Sequence, residues 1–330
     1  MRLTAVVWIV LAGGIAALLS ACSSAGSQLA QAPSGSPSRQ HASSRPSGKS
    51  HPRARPSSTS AAALPSASAA GNSWSGQFTG YGSSSWQSSW GFVAQGSYGQ
   101  AQLAEQPDPS APGNGSVLRV QYGQGSSANS CDNCPNPGGG QFYTDFAQMG
   151  RSDLANASVL YLRYYVKFQK GFDFSRGGKL PGLYGGLVGQ ESGGHHGQAF
   201  STRYMWRDHP VSGSLSNCSA ALPCGEVYLY SPQIGGGYGT NLGGSWNWQA
   251  DGRWHMIEQE VNRATGTITV WYDGARVLTA PGAVGGISGI PFSGVFFSTF
   301  FGGHDASWGP SKNEYAYFAD FAVSTSYIGS

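Results

Sequence analysis

Short apolar runs separated by glycine, proline and asparagine fill the chain after residue 116, and they lack the sustained periodicity of a long helix. The five residues 262–266, Asn-Arg-Ala-Thr-Gly, suit the turn of a β-hairpin. Strands are predicted at residues 117–122, 159–168, 198–206, 226–230, 254–261, 267–272, 295–301 and 315–323. We therefore expect an all-β fold, a single antiparallel β-sandwich of jelly-roll type with a concave groove.

The N-terminal residues 1–22 form a processing segment that is separate from the fold. Arg2 precedes an apolar stretch, residues 6–18, which is too short to span a membrane as a stable helix. Residues 19–22, Leu-Ser-Ala-Cys, resemble the bacterial lipobox, in which the cysteine becomes the lipidated N-terminus. An ordinary cleaved signal peptide with a chance cysteine is the alternative. We expect an extracytoplasmic protein that is anchored to the bacterial cell membrane through a lipid on Cys22.

Residues 23–73 are rich in serine, alanine and proline, and they cannot bury enough apolar surface to offset the entropy cost of ordering. They are predicted to form a disordered basic tether that precedes one globular domain at residues 74–330. Six of the 19 basic residues and none of the 16 acidic residues precede residue 74, so this domain has a net charge of −3. A mildly acidic, exported domain argues against a nucleic acid as its partner.

The four cysteines of the globular domain are an even number in an exported protein, for which disulfides are the default. Short separations favour the pairs Cys131–Cys134 and Cys218–Cys224, although four cysteines allow three connectivities. A zinc site is the rival interpretation of the first pair, but the second pair lacks the matching spacing.

Strand alternation brings polar residues toward a common face, because successive side chains of a strand point to opposite sides. Ser201 and Arg203 share one face of their strand, and Tyr228 and Tyr230 share one face of theirs. Lys179 is the one charged residue in a stretch of glycine, proline and apolar residues, a rigid segment that can direct its ammonium group into a cleft. Taken singly, such residues are more often solvated or packed; together, they predict a site.

Two cations, two phenols and a hydroxyl suit β-elimination on a polymer of uronic acids. This reaction removes the proton at C5, next to the carboxylate, and expels the oxygen at C4. A lysine or arginine that neutralises the carboxylate stabilises the charge that develops. A base must take the proton and an acid must protonate the leaving oxygen. Tyrosine, with an ordinary pKa of about 10, can fill either role where nearby cations lower that pKa.

Three parts of the chain together resemble polysaccharide lyase family 14, which includes alginate and glucuronan lyases. They are the segment 161–186, the spaced pairs at 201/203 and 228/230, and the closing stretch 298–318. The resemblance implies a jelly-roll fold and eliminative cleavage of a 1,4-linked polyuronate, with an acidic polysaccharide as partner. No cofactor is expected because the cations are side chains, and we expect a monomer.

Carried over residue by residue, the resemblance implies that Lys179 and Arg203 bind and neutralise the carboxylate. Ser201 would help to position the sugar. Tyr228 and Tyr230 would be the acid and the base, in an order that the sequence leaves open. The loop between the two spaced pairs contains the second cysteine pair and is longer than is usual in the family. We expect it to reshape the groove.

Further candidates for the groove wall and for substrate binding are His195, His304 and Trp308. His195 lies in a Gly-rich loop, for which simple solvation is the alternative. Several tryptophans are also expected to be accessible for stacking on sugar rings, namely Trp86, Trp90, Trp206, Trp246 and Trp248.

Two other classes of function remain open at this point. Glu258 and Glu260 share a strand face, and a pair of carboxylates about 5–5.5 Å apart suits a retaining glycoside hydrolase. The second alternative is a non-catalytic carbohydrate-binding lipoprotein, which would bind a polymer and yield no product.

Overall fold

The computed structural model describes residues 73–192, 198–234 and 237–330. Cys22, the tether up to residue 72 and His195 lie outside these ranges, so the predictions for them stay predictions. In the described part of the chain, no helix combines the length and the apolar character needed to cross a membrane.

The described residues form sixteen strands and a few short helical turns. In chain order, the strands are β1 Ser73–Gly76, β2 Phe92–Tyr98, β3 Leu103–Pro107, β4 Ser116–Tyr122, β5 Gly140–Thr144, β6 Val159–Phe168, β7 Gly177–Leu180, β8 Gly182–Gly185, β9 Phe200–Arg207, β10 Cys224–Tyr230, β11 Thr240–Asn247, β12 His255–Asn262, β13 Thr267–Tyr272, β14 Ala275–Ala280, β15 Phe292–Phe301 and β16 Glu314–Ser324. The helices are α1 Ser84–Trp90 and α2 Ser152–Ala155, with 3-10 turns at Gln100–Gln102 and Ala306–Trp308.

The strands pair into two antiparallel sheets of eight strands each. The cleft sheet has the order β11-β10-β9-β7-β15-β5-β2, with β8 paired to β9 and β15. The back sheet has the order β14-β13-β12-β6-β16-β4-β3, with β1 paired to β16. Strands that are neighbours in space are often distant in sequence, so the chain crosses repeatedly between the sheets, as in a jelly roll. The predicted fold class is confirmed.

The inward faces of the two sheets pack into one aromatic core. Tyr164 of β6 and Tyr204 of β9 are fully buried, with their ring centres 6.2 Å apart. Thr202 donates a hydrogen bond of 2.6 Å to the side-chain oxygen of Gln259, across the sandwich. The even-numbered residues of β9 therefore face the core, as the alternation predicted.

The expectation that five tryptophans are accessible to sugar rings is wrong. Each is at most 3% exposed: Trp86, Trp90, Trp206, Trp246 and Trp248. Trp86 and Trp90 stack one turn apart on α1, with ring centres 5.3 Å apart. Both indole N–H groups donate to the backbone carbonyl of Gln77. Their polar atoms are thereby satisfied, and the large apolar rings gain more from burial than from exposure.

The predicted hairpin at residues 262–266 is confirmed. Asn262 at the end of β12 pairs with Thr267 at the start of β13. The side chain of Asn262 accepts a hydrogen bond of 3.1 Å from the N–H of Thr265, and this bond closes the turn. The predicted strands agree with the observed strands to within a few residues, whereas β1, β2, β3, β5, β7, β8, β11 and β14 were not predicted.

The Gly-rich segment 177–186, which carries Lys179, forms β7 and β8 in the middle of the cleft sheet. Its glycines are required by close neighbours on β9. A Cβ atom on Gly178 would lie 2.1 Å from the ring of Trp206, and one on Gly182 would lie 2.3 Å from the carbonyl oxygen of Thr202. The absence of side chains therefore allows these strands to lie against β9.

Pro181 separates the two strands and marks a β-bulge. Leu180 lies opposite Tyr204, and Tyr184 lies opposite Ser201. Four steps along this segment thus match three steps along β9. One residue of the segment has no partner, as at other bulges.

Side chains alternate along a strand, so one extra residue reverses the side of the cleft sheet to which the side chains after Pro181 point. Before Pro181, Leu180 enters the core and Lys179 points to the opposite side. After it, Leu183 enters the core, and Tyr184 packs on the outward face of the cleft sheet with Phe296.

Substituting Gly178 by alanine is expected to lower the free energy of unfolding by about 1–3 kcal/mol, because the new methyl group would overlap the buried ring of Trp206. The change is measured by urea denaturation. Gly289→Ala is the matched control, since a Cβ atom at Gly289 would meet no atom within 4 Å. Equal unfolding midpoints for the two variants would contradict the packing argument.

Both expected disulfides are present, Cys131–Cys134 and Cys218–Cys224. The first pair is therefore not free to bind zinc as two thiolates. The second pair closes a loop before β10, and residues 208–227 contribute no lining residue to the cleft described below. The expected reshaping of the groove by this loop is thus not seen in the described residues.

Candidate active site

The outward face of the cleft sheet carries an open cleft with a volume of about 950 Å³. Strands β5, β7, β9, β10, β11 and β15 contribute its floor, and its rim includes residues 128–130, 237–239 and 302–305. Among the predicted site residues, those that line it are Lys179, Arg203, Tyr228, Tyr230, His304 and Trp308. Arg203, Tyr228 and Tyr230, which strand alternation singled out, therefore lie in one cleft together with Lys179.

Lys179 lies in the middle of the floor, on β7 between β9 and β15. Its Nζ atom lies 4.7 Å from the ring centre of Tyr228 and 5.3 Å from that of Phe300, which are cation–π distances. Among the described residues, no carboxylate lies within ion-pair distance of this ammonium group. Burial, followed by the charges of Arg203 and Arg207, holds the pKa of Lys179 well below its ordinary value. A bound anion would oppose that shift.

Arg203 is a second cation that has no carboxylate at ion-pair distance within the described part of the chain. It is 2% exposed, and its Nη1 atom donates a hydrogen bond of 3.0 Å to the hydroxyl of Ser298. Its Cζ atom lies 4.4 Å from the ring centre of Phe296, and its Nε atom has no hydrogen-bond partner among the described residues. Burial lowers the pKa of Arg203 from its very high ordinary value, and the group remains a cation. Such a group favours an anionic ligand.

Tyr228 and Tyr230 stand side by side on β10, edge to face, with ring centres 5.3 Å apart. The phenolic oxygen of Tyr228 accepts a hydrogen bond of 3.0 Å from the N–H of Gly239. Burial, followed by the neighbouring Tyr230, raises the pKa of Tyr228, whereas the N–H of Gly239 and the charge of Arg207 lower it by less. The cation therefore does not bring the pKa below its ordinary value, and Tyr228 keeps its proton at neutral pH.

Arg207, Glu226 and Asn241 belong to the site and were missed by the sequence argument. Arg207 donates hydrogen bonds to Glu226 at 3.0 Å and to Asn241 at 3.4 Å. Glu226 is fully buried, and burial raises the pKa of its carboxyl group although Arg207 opposes the shift. Arg207 lies four residues after Arg203 and on the same face of β9, so strand alternation was sufficient to find it.

Ser201 is fully buried and is not among the residues that line the cleft. Its hydroxyl donates a hydrogen bond of 2.7 Å to the backbone carbonyl of Glu191, so it anchors the loop that carries that residue. His304 is exposed on the rim, with its Nδ1 atom 2.9 Å from the hydroxyl of Ser130. Trp308 is half-buried beside it. The roles of these residues toward a substrate stay predictions.

Glu258 and Glu260 lie on β12 of the back sheet, on the other side of the sandwich from the cleft. The carboxylate of Glu258 is fully buried and accepts hydrogen bonds from the N–H groups of Ile328 at 2.8 Å and Gly329 at 2.9 Å. It therefore holds the C-terminal segment against the sheet. This position does not favour the glycoside hydrolase alternative. No group of three or more His, Cys, Asp or Glu residues that could hold a metal ion occurs among the described residues.

A family model described as polysaccharide lyase 14 matches residues 110–321. The chain belongs to polysaccharide lyase family 14. The matched range contains all four residues predicted to be catalytic, and the strands that carry them form the floor of the cleft. This member of polysaccharide lyase family 14 is therefore a polysaccharide lyase. A comparison with curated protein sequences finds no match.

Solved structures agree with this assignment. The lyase is similar to the marine PL-14 alginate lyase from Aplysia kurodai, with 26% identity and a TM-score of 0.53 over 69% of this chain and 88% of that one. It also resembles alginate lyase Aly36B, with 21% identity and a TM-score of 0.54 over 78% of this chain and 98% of that one. A variant of Aly36B in complex with an alginate trisaccharide gives 19% identity and a TM-score of 0.51 over 76% and 97%. The two Aly36B structures support the fold.

Proposed function

We propose that this polysaccharide lyase cleaves a 1,4-linked polyuronate by β-elimination, with alginate as the first candidate and glucuronan as the second. The observation that carries the proposal is a pair of cations, Lys179 and Arg203, that lie beside two phenols in one cleft and have no carboxylate at ion-pair distance among the described residues. Alginate comes first because the Aplysia kurodai alginate lyase shares 26% of its sequence with this chain.

The uronate carboxylate binds Lys179 and Arg203, whose positions are fixed by neighbouring strands of the cleft sheet. Both cations are partly or fully withdrawn from water, which strengthens their attraction to an anion. Removal of the C5 proton spreads negative charge onto the carboxylate, and the two cations stabilise that charge as it develops. Since they are in place before the reaction, no reorganisation is needed during it.

We assign Tyr230 as the base and Tyr228 as the acid. Tyr230 is the more accessible phenol, and its ring centre lies 5.9 Å from the Cζ atom of Arg203. Tyr228 retains its proton because burial raises its pKa, and the N–H of Gly239 can stabilise the oxygen once that proton has left. Tyr230, acting in its ionised form, takes the C5 proton. The C5–H electrons form the C4–C5 double bond, and the C4–O electrons leave with the oxygen, which takes a proton from Tyr228.

The test is ultraviolet absorbance of the purified protein with polymannuronate, polyguluronate and polyglucuronate in separate reactions. Elimination leaves a C4–C5 double bond conjugated to the carboxylate, so we expect rising absorbance with at least one of the two alginate polymers. A rise with polyglucuronate alone would move the assignment to glucuronan. New reducing ends without absorbance would indicate hydrolysis. Binding without any product would indicate a carbohydrate-binding protein and overturn the proposal.

We also propose that the enzyme acts outside the cytoplasm as a monomer tethered through a lipid on Cys22. The lipobox-like residues 19–22 and the basic, serine-rich residues after them support this location. A long tether would let the cleft reach a polymer outside the cell while the enzyme stays bound to the membrane.

A further inference from the structure

A chain of four hydrogen bonds leads from Arg203 away from the cleft to a buried carboxylate. Arg203 Nη1 donates to Ser298 Oγ at 3.0 Å, and Ser298 donates to Gln141 Oε1 at 3.0 Å. Gln141 Nε2 donates to the hydroxyl of Tyr143 at 3.2 Å. Tyr143 in turn donates to Glu191 Oε1 at 2.7 Å. We call this chain of five residues the Arg203 relay.

The direction of the Arg203 relay is fixed near its centre by the backbone of β2. Gln141 Nε2 also donates a hydrogen bond of 2.8 Å to the carbonyl oxygen of Gly96, so the amide oxygen must face Ser298. The hydroxyl of Ser298 then has to donate to Gln141, which leaves its lone pairs for Arg203. A guanidinium group only donates, so the first bond is fixed as well.

The far end of the relay is the carboxylate of Glu191, which only accepts hydrogen bonds, whereas the guanidinium group of Arg203 only donates them. Glu191 is fully buried, and no cation lies within ion-pair distance of it among the described residues. Its carboxylate accepts from the hydroxyl of Tyr143 and, at 2.6 Å, from the N–H of Gly189. Burial, followed by the charge of Glu191, raises the pKa of Tyr143, so this phenol keeps the proton that it donates. All four bonds therefore point from the cation to the anion.

We propose that Glu191 is a positioning residue that acts on the substrate carboxylate through Arg203. Hydrogen bonds that all point one way polarise one another, so the negative end strengthens the bond from Arg203 Nη1 to Ser298. Arg203 lines the cleft, so the part of its guanidinium group that Ser298 does not hold is left for the ligand. The proposal rests on the proposed function, in which Arg203 binds a uronate carboxylate.

The same geometry gives Ser201 a role. Its hydroxyl donates to the backbone carbonyl of Glu191 at 2.7 Å, while the side chain of that residue receives Tyr143. Ser201 lies two residues before Arg203 on β9. Strand β9 therefore carries Arg203 and, through Ser201, also holds the backbone of Glu191. The position of the distant counter-charge is thus fixed relative to Arg203.

Tyr143→Phe interrupts the relay and keeps the ring, which stacks on Phe296 with centres 4.3 Å apart. We expect kcat/KM on the cleaved polyuronate to fall about tenfold, as for the loss of one hydrogen bond in a charged network. The matched control is Tyr184→Phe. It removes a buried hydroxyl from the same aromatic cluster, one that donates to the carbonyl of Thr144 at 2.9 Å and lies outside the relay. We expect less than about a twofold change there, with a similar effect on thermal stability in both variants.

A double-mutant cycle tests whether Tyr143 acts through Arg203. In an Arg203→Lys background, adding Tyr143→Phe is expected to change kcat/KM by less than about twofold, because the relay has already lost its first member. If the two substitutions instead multiply their effects, Tyr143 acts independently of Arg203 and the relay is overturned. Equal losses of activity in Tyr143→Phe and Tyr184→Phe would also overturn it.

A crystal structure of the ligand-free Tyr143→Phe variant gives a readout that needs no activity. We expect Arg203 to leave Ser298 or to occupy a second rotamer, and an unchanged Arg203 would overturn the relay. The structure decides this even if the wild-type protein cleaves no polyuronate. A wild-type protein that cleaves no polyuronate would overturn the proposed function. The relay would then be tested by the position of Arg203 in the crystal structure of Tyr143→Phe.

Discussion

Replacing Tyr230 with phenylalanine is expected to lower kcat on the cleaved polyuronate by about 10²- to 10⁴-fold, the range for loss of a positioned acid or base. The ring remains, so its edge-to-face contact with Tyr228 and the shape of the cleft are retained. The affinity for a uronate oligomer should therefore change little. The rate is measured by ultraviolet absorbance of the unsaturated product, and the affinity by calorimetry with the same oligomer.

The control for this substitution is Tyr315→Phe, which removes a hydroxyl from β16 of the back sheet and should leave kcat unchanged. Tyr228→Phe should also lower kcat, since it removes the proposed acid and leaves the N–H of Gly239 without its acceptor. If Tyr230→Phe retained more than about a tenth of kcat, Tyr230 would not be the base.

Replacing Lys179 with alanine is expected to lower kcat/KM by about 10²- to 10³-fold, as when one electrostatic stabiliser of the developing charge is removed. Its ammonium group is in contact with Tyr228 and Phe300 in the middle of the cleft floor. No other lysine occurs among the described residues that line the cleft, so none can take over its role. The measurement is the initial rate at low substrate concentration. A loss of less than about tenfold would show that Arg203 alone is sufficient for the carboxylate.

The pH profile separates the charged role of Lys179 from a role as base. Burial and the nearby cations lower its pKa, so its charge is lost on raising the pH through a value below the ordinary one. If that charge is needed, kcat/KM falls as the pH rises through the pKa of the free enzyme. Lys179→Arg keeps its charge at every accessible pH, so this fall should disappear in the variant. A kcat/KM that rises over the same range in the wild type but not in Lys179→Arg would make the neutral amine of Lys179 the base.

Much of the fold followed from the sequence because strand alternation is a local signal. The placing of Arg203 on one face of β9 needed only a period of two residues, and the structure puts Thr202 and Tyr204 on the opposite face, in the core. The Gly-rich segment around Gly178 was not predicted as a strand, because glycine is rare inside strands. Its role depends on the ring of Trp206, on a strand distant in sequence, and no local pattern reveals that neighbour.

The difference between local patterns and contacts between distant strands also explains which site residues were identified from the sequence. Lys179, Arg203 and the tyrosines were identified from spacing and from the resemblance to family 14, and the structure brings them into one cleft. Ser298, Gln141 and Glu191 were not identified as site residues. Their relation to Arg203 arises only when β15 is placed between β7 and β5, an order that the sequence does not display.

The bulge at Pro181 makes the length of this segment a condition for activity. Deleting one residue there would restore regular pairing with β9, and the alternation would then turn Lys179 into the core or Leu183 into the cleft. Between these two strands, an insertion or deletion of one residue would be as damaging as a substitution of the lysine itself.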